Sequence, residues 1–135
     1  MFVIDASVVV KWFIEEKDTP KSLSLKDAHI KGKTVLIAPD LLIYEVANVL
    51  TFSKIFTLNE IKKCLQDLYE LEIDLISPSI DIIATATELS VNRQISIYDA
   101  CYIALAKELD IKLITADEKL YASTDESRIE LLSNI

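Results

Sequence analysis

Phe2-Val3-Ile4-Asp5-Ala6-Ser7-Val8-Val9-Val10 sets the reading of the whole chain. Phe2 to Ala6 is an apolar run of strand length, and Ser7 stands where it would cap a helix running to about Ile14. Asp5 interrupts the apolar residues at the strand's end. A carboxylate there is costly to bury unless it is paired, protonated or bound to a metal. Ligand sites of parallel α/β sheets lie at the carboxyl ends of strands, so Asp5 is a candidate site residue from the outset.

Outward from this opening, short apolar runs alternate with helical patterns. A helix is expected over Pro20 to Ile30, stopped at Gly32, the only glycine of the chain. Val35-Leu36-Ile37 reads as a strand closed by Ala38-Pro39, and Asp40 as the cap of a long helix from Leu41 to about Lys54. Thr57-Leu58-Asn59-Glu60 is a capping box, followed by Ile61, Leu65 and Leu68 at helical spacing. Ile73 to Ile76 is a further strand, and Pro78-Ser79 opens a helix to about Arg93. Ser96 to Leu109 is helical, with strands at Lys112 to Thr115 and Ile129 to Leu132. Strands and helices in alternation indicate an α/β domain with a mainly parallel sheet, its right-handed crossovers placing helices on both faces.

At 135 residues the chain has the length of one domain, 1–135, enough to close a core without staples. Residues are 51% hydrophobic, more than such a core requires, so part of the surplus is expected at a homodimer or partner interface. Trp12 and Phe13, early on a short helix, are candidates for an uncovered apolar groove. No apolar stretch is long enough to span a bilayer, and the start on Phe2-Val3-Ile4 lacks the basic region of a secretory signal. Cys64 and Cys101 are too few and too far apart for a disulfide framework or a metal knuckle. Cys101 reads as a core thiol, and a reducing, cytoplasmic compartment is expected. The net charge of −8 argues against broad electrostatic binding to nucleic acid but leaves room for a nucleic-acid enzyme whose positive charge comes from metal ions.

Most of the 22 acidic residues lie in polar stretches and need only solvent. Four do not. Asp5 ends its strand, and Glu45 sits between Leu41-Leu42-Ile43-Tyr44 and Val46-Ala47. Asp99 lies within Ile97-Tyr98-Asp99-Ala100-Cys101-Tyr102, and Asp117 follows Leu113-Ile114-Thr115-Ala116. Bland explanations exist for three of them: Asp99 as a charge at a helix N-terminus, Asp117 as a turn cap, and Glu45 as a side chain reaching for solvent. If the four converge, each pair of carboxylates about 5 Å apart repels by roughly 3 kcal/mol at an effective dielectric near 20. Such a cluster calls for a cation, and at least one acid should titrate high because of its neighbours' charge. With one histidine and no cysteine cluster zinc is disfavoured, and an all-oxygen site suits a hard ion, Mg²⁺ or Mn²⁺. The hydroxyls of Ser7 and Thr115 stand two residues from Asp5 and Asp117. They can orient a carboxylate or hold a water, or simply cap.

The order of these stretches resembles the PIN-domain family, and within it the VapC-like toxin ribonucleases. The resemblance rests on Val3-Ile4-Asp5-Ala6-Ser7 and on Ala38-Pro39-Asp40-Leu41-Leu42-Ile43-Tyr44-Glu45-Val46-Ala47-Asn48-Val49-Leu50. It continues through Tyr98-Asp99-Ala100-Cys101-Tyr102-Ile103-Ala104-Leu105-Ala106 and Leu113-Ile114-Thr115-Ala116-Asp117. The family's acidic quartet falls on Asp5, Glu45, Asp99 and Asp117, and its supporting hydroxyls on Ser7 and Thr115. The resemblance implies a PIN-like three-layer α/β fold with a sheet of four to five strands flanked by helices. It also implies one or two divalent ions in an acidic pocket, cleavage of RNA, a homodimer, and a cognate antitoxin whose tail enters the groove.

The expected chemistry is hydrolysis of RNA phosphodiester bonds by a metal-activated water. Asp5, Asp99 and Asp117 are the expected ligands, and Glu45 acts through water or as the base. No Ser–His or Cys–His pair offers a covalent nucleophile, because His29 is placed on a surface helix without a partner. An aspartyl-nucleophile phosphatase also begins with a strand-end Asp, but it needs a second Asp two residues on, where this chain has Ser7. Two alternatives keep the fold: a stand-alone RNA-processing nuclease, and a catalytically silent binding module.

Overall fold

Five short runs of core residues become strands in the computed structural model, which describes residues 1–135: β1 Phe2–Ile4, β2 Leu36–Pro39, β3 Asp74–Ile76, β4 Lys112–Thr115 and β5 Ile129–Leu131. They form one sheet in the order β3-β2-β1-β4-β5, and every neighbouring pair is parallel. β1 is central, with Phe2 opposite both Leu36 and Lys112. Val3 and Ile4 are fully buried, as a strand covered on both faces must be. The edge strands carry Asp74 and Glu130, charges that discourage pairing with another chain.

Seven α-helices flank the sheet: α1 Ala6–Val9, α2 Thr19–Ile30, α3 Leu41–Phe52, α4 Leu58–Glu70, α5 Ile80–Arg93, α6 Ile97–Leu109 and α7 Glu118–Ser123. Short 3₁₀ turns at Val10–Trp12 and Leu132–Asn134 complete the chain. α6 packs against β1, β2 and β4, and every residue from Ala100 to Ala106 is buried, Cys101 among them. Gly32 has φ +67° and closes α2 as expected, its N–H donating to the His29 carbonyl. Both halves of the Thr57–Glu60 capping box are formed at α4. No helix is long and apolar enough to cross a membrane.

Local details depart from expectation for identifiable reasons. β1 ends at Ile4 because Asp5, not Ser7, caps the first helix, accepting from the Val8 N–H. That helix tightens into the 3₁₀ turn and stops at Trp12 rather than Ile14. Trp12 is buried, and its indole N–H donates to the Ser22 carbonyl at 3.0 Å, so the expected groove at Trp12 and Phe13 is filled by α2. Asp40 occupies the cap position of α3 without capping it, because its carboxylate accepts from Ser77 instead. His29 has partners after all. Its Nδ1 accepts from the Leu36 N–H and its Nε2 lies 2.8 Å from the Leu71 carbonyl, so a neutral ring protonated at Nε2 ties α2 to β2 and to the end of α4. Large exposed apolar residues lie elsewhere, on α3 (Tyr44, Phe52), at Ile55 and Leu58, and at Ile80 and Tyr98.

Candidate active site

An all-parallel sheet has all its carboxyl ends on one edge, and the predicted site residues belong to that edge. Asp5 follows β1 directly, Thr115 is the last residue of β4, and Asp117 lies two residues beyond it. Glu45 is on α3, which leaves β2 at the same edge. Asp99 is in the first turn of α6, which descends from this edge to feed β4.

Asp5 is only 6% exposed, and both its carboxylate oxygens are occupied. Ser7 Oγ donates to Oδ1 at 2.5 Å and Thr115 Oγ1 donates to Oδ2 at 2.5 Å. The hydroxyls are themselves oriented, because the Ala116 N–H donates to Ser7 Oγ and the Asp117 N–H donates to Thr115 Oγ1. With lone pairs facing the backbone donors, the two hydroxyl protons are left to point at Asp5. Of the roles expected for Ser7 and Thr115, the geometry therefore carries the orienting of a carboxylate. Burial nevertheless dominates and pushes the Asp5 carboxyl up to about 6, against the lowering effect of Ser7, Thr115 and the Val8 N–H; the charge of Asp99 adds to the rise.

Glu45 is half-buried, and Tyr102 Oη donates to its Oε1 at 2.6 Å. Burial raises the Glu45 carboxyl, the Tyr102 hydrogen bond lowers it, and the Asp99 charge raises it. Asp99 is raised first by burial, with Ser96 opposing and Asp117 adding. The four acids are thus linked electrostatically, with Asp99 in the middle, coupled to Asp5, Glu45 and Asp117. The abnormal titration expected of the pocket is present, but its leading cause is desolvation rather than mutual repulsion. No Lys or Arg forms a salt bridge with any of the four. Lys11, the lysine nearest Asp5 in sequence, is tied to Glu16 at 3.0 Å, and Lys119, two residues after Asp117, has no ion pair with it.

Asp117 also fills the structural role expected of a turn residue. It caps α7, accepting from the N–H groups of Lys119 and Leu120 at 3.0 Å through one oxygen, Oδ1. Asp99 is not the cap of α6, a role taken by Ser96. Tyr102 was not among the residues singled out from the sequence. Its signal was present, since it stands three residues after Asp99 on one helix and so shares its face.

The donor set is all oxygen and fits a hard divalent ion. Glu45 and Asp117 each keep one carboxylate oxygen outside the hydrogen bonds just described. No three His, Cys, Asp or Glu side chains are gathered closely enough to hold an ion between them. Mg²⁺ does not demand such a cage, because it keeps several waters and commonly takes only one or two carboxylates.

The profile of the PIN domain family matches residues 2–126. Ribonuclease VapC3 of Pyrobaculum aerophilum is 27% identical over 122 residues, covering 87% of this chain and 90% of that protein. A toxin–antitoxin complex from Klebsiella pneumoniae contains a chain that superposes with TM-score 0.72 at 15% identity, over 98% of both chains. The sarcin–ricin loop cleaving toxin VapC20 of Mycobacterium tuberculosis superposes with TM-score 0.68 at 14% identity, over 91% of this chain and 95% of that one. At these identities the two structures speak for the fold.

Proposed function

Since the chain belongs to the PIN domain family, we propose that it is a metal-dependent endoribonuclease acting as the toxin of a toxin–antitoxin pair. The observation that carries this reading is Asp5, a buried carboxylate at the carboxyl edge of a parallel sheet, coupled through Asp99 to Glu45 and Asp117, with none of the four in a salt bridge. A buried carboxylate with hydroxyl partners but no countercharge, raised by desolvation at the carboxyl edge of the sheet, marks a candidate ligand-binding site. The names of the relatives, a ribonuclease and a toxin, support the substrate class and the biological setting.

Asp5, Asp99 and Asp117 would hold Mg²⁺ or Mn²⁺, directly or through water, and Glu45 would act through water or as a base. The ion would supply stabilisation of charge on the scissile phosphate and a water acidified enough to attack. Asp5 is fixed by Ser7 and Thr115, so it sets where the positive charge sits. Asp99 and Glu45 approach from separate helices, α6 and α3. Tyr102 holds one oxygen of Glu45 and leaves the other free.

Purified protein should cleave single-stranded or loop RNA when Mg²⁺ or Mn²⁺ is added and stop in EDTA, and Asp99→Asn should abolish cleavage. Undiminished cleavage in EDTA would sink the metal-dependent reading. An acidic pocket also suits the guanidinium of an antitoxin tail, which pairs with two carboxylate oxygens at once. Co-expression with the neighbouring gene product should therefore yield an inhibited complex; a neighbour that neither binds nor inhibits would favour a stand-alone RNA-processing nuclease. The open spacing of the acids favours one second reading, a silent binding module. A melting temperature that does not rise in millimolar Mg²⁺ would put that reading ahead.

A further inference from the structure

We infer that Tyr44 and Tyr98 form a stacking platform for a nucleobase of the RNA strand engaged at the acidic pocket, an inference that rests on the ribonuclease reading above. Each ring is the chain neighbour of a site acid, Tyr44 of Glu45 on α3 and Tyr98 of Asp99 on α6. Both side chains stand out from the surface, at 78% and 62% exposure. Although they belong to different helices, they line one depression of about 420 Å³ together with Leu41, Glu45 and Asn48. Glu45 thus belongs both to the acidic pocket and to the ring-lined depression, so a strand held at the first has its neighbouring base at the second.

The chemistry of the lining favours a base over a protein helix. Two tyrosine rings offer flat π-faces, and Asn48, one turn beyond Tyr44 on α3, offers an amide that can read a base edge. An amphipathic helix seeks an aliphatic floor, and that floor lies next door, in the cavity walled by Pro39, Ile76, Ile82 and Ile83. Leu41 and Tyr98 stand on the border and line both, whereas Tyr44, Glu45 and Asn48 line the depression alone. No Lys or Arg lines the ring-lined depression, so what binds there is not recognised through its phosphates. The cations lie across the site: Lys11 and Lys17 line one hollow beside Asp117, and Lys119 another between Asp99 and Asp117. In the sheet, β2 and β4 flank β1 on opposite sides. A strand crossing Asp5 therefore meets rings on the β2 side and amines on the β4 side.

The test is binding of an uncleavable 2′-O-methyl single-stranded RNA of mixed sequence, in Mg²⁺, over a series of salt concentrations. Cleavage of ordinary RNA by the wild-type chain is measured in parallel. Tyr44→Ala with Tyr98→Ala should weaken binding by about tenfold or more, the loss expected when base–aromatic stacking goes. The slope of affinity against salt should stay unchanged, because no phosphate contact is lost. Tyr44→Phe with Tyr98→Trp should restore binding. A Lys17→Ala, Lys119→Ala chain should also weaken binding but, unlike the tyrosine pair, flatten the salt slope. Unchanged affinity in the alanine variant, while the wild type still cleaves RNA, would overturn the platform and leave the nuclease reading standing. Loss of binding that tracks loss of a dimer in sedimentation would also overturn it, assigning the rings to a second copy of this chain. A wild-type chain that neither binds nor cleaves RNA in Mg²⁺ would fail both readings together.

Discussion

Asp5 and Glu45 belong to the same edge of the sheet, yet the protein holds them in opposite ways. Asp5 comes off the central strand, is buried, and has both oxygens clamped by hydroxyls whose own orientation is fixed by backbone N–H groups. Glu45 comes off a helix, is half-exposed, and has one oxygen held by Tyr102. The clamped half costs stability, because desolvation of Asp5 outweighs its hydrogen bonds. In the looser half burial also raises the Glu45 carboxyl, but one of its oxygens is left outside the hydrogen bonds. On the proposed reading, a site built this way would fix one ligand firmly and take the others from separate helices, with water completing the coordination of the ion.

The largest effect expected from breaking this asymmetry is on Asp5. Asp5→Asn should lower cleavage by about a thousandfold, the loss when several kcal/mol of charge stabilisation disappears. In chelator the same variant should melt higher than wild type, by at most about 3 kcal/mol, because an uncharged amide escapes the desolvation that lifts the carboxyl. A variant that is both inactive and destabilised would show that Asp5 is a structural cap and not a strained ligand.

Acidity probes the same burial without mutation. The Asp5 carboxyl is raised from 3.8 to about 6 on folding, so the folded state binds the proton more tightly than the unfolded one. Its contribution to stability is therefore fully present below 3.8 and is lost as pH rises through about 6. In chelator the gap in stability between wild type and Asp5→Asn should accordingly widen from pH 5 to pH 7, reaching about 3 kcal/mol at most. Mg²⁺ should narrow it again by binding the ionised form of the wild type. A gap constant across that range would mean that Asp5 is ionised in the folded state throughout.

Smaller effects should separate the two halves. Thr115→Val, at a fully buried position, removes a charge-assisted donor to Asp5 and should cost about 2 kcal/mol of stability. Loss of such an orienting group should reduce cleavage by about 10- to 100-fold. Tyr102→Phe, acting on the looser half, should cost about 1 kcal/mol and roughly tenfold in cleavage. Equal losses in the two variants, measured side by side, would erase the distinction between a clamped and a loose half.

Much of this organisation was legible in the sequence because it rests on strong local signals. Short apolar runs separated by helical patterns can only be a layered α/β sheet, and a carboxylate in such a run has no inexpensive explanation. Finer roles escaped because neighbouring residues compete for them. Asp5 and Ser7 are both good caps two residues apart, and only the backbone turn after Ile4 decides which one caps and which one donates to the other. α7 was missed because six residues give too little periodicity, and its start depends on the Asp117 cap. The Tyr102–Glu45 hydrogen bond spans 57 positions and joins two helices, a contact that no local pattern contains. His29 reads as a surface residue for the same reason, since its partners at Leu36 and Leu71 are brought to it by the fold.

The most direct test of the central claim is an anomalous difference map, collected at the manganese edge, from a crystal of the wild-type chain soaked in Mn²⁺. A peak should appear at the carboxyl edge within direct or single-water reach of Asp5, Asp99 and Asp117, and it should vanish in an Asp99→Asn crystal soaked alongside. Ordered carboxylates with no peak among them, or a peak held by other residues, would contradict the account.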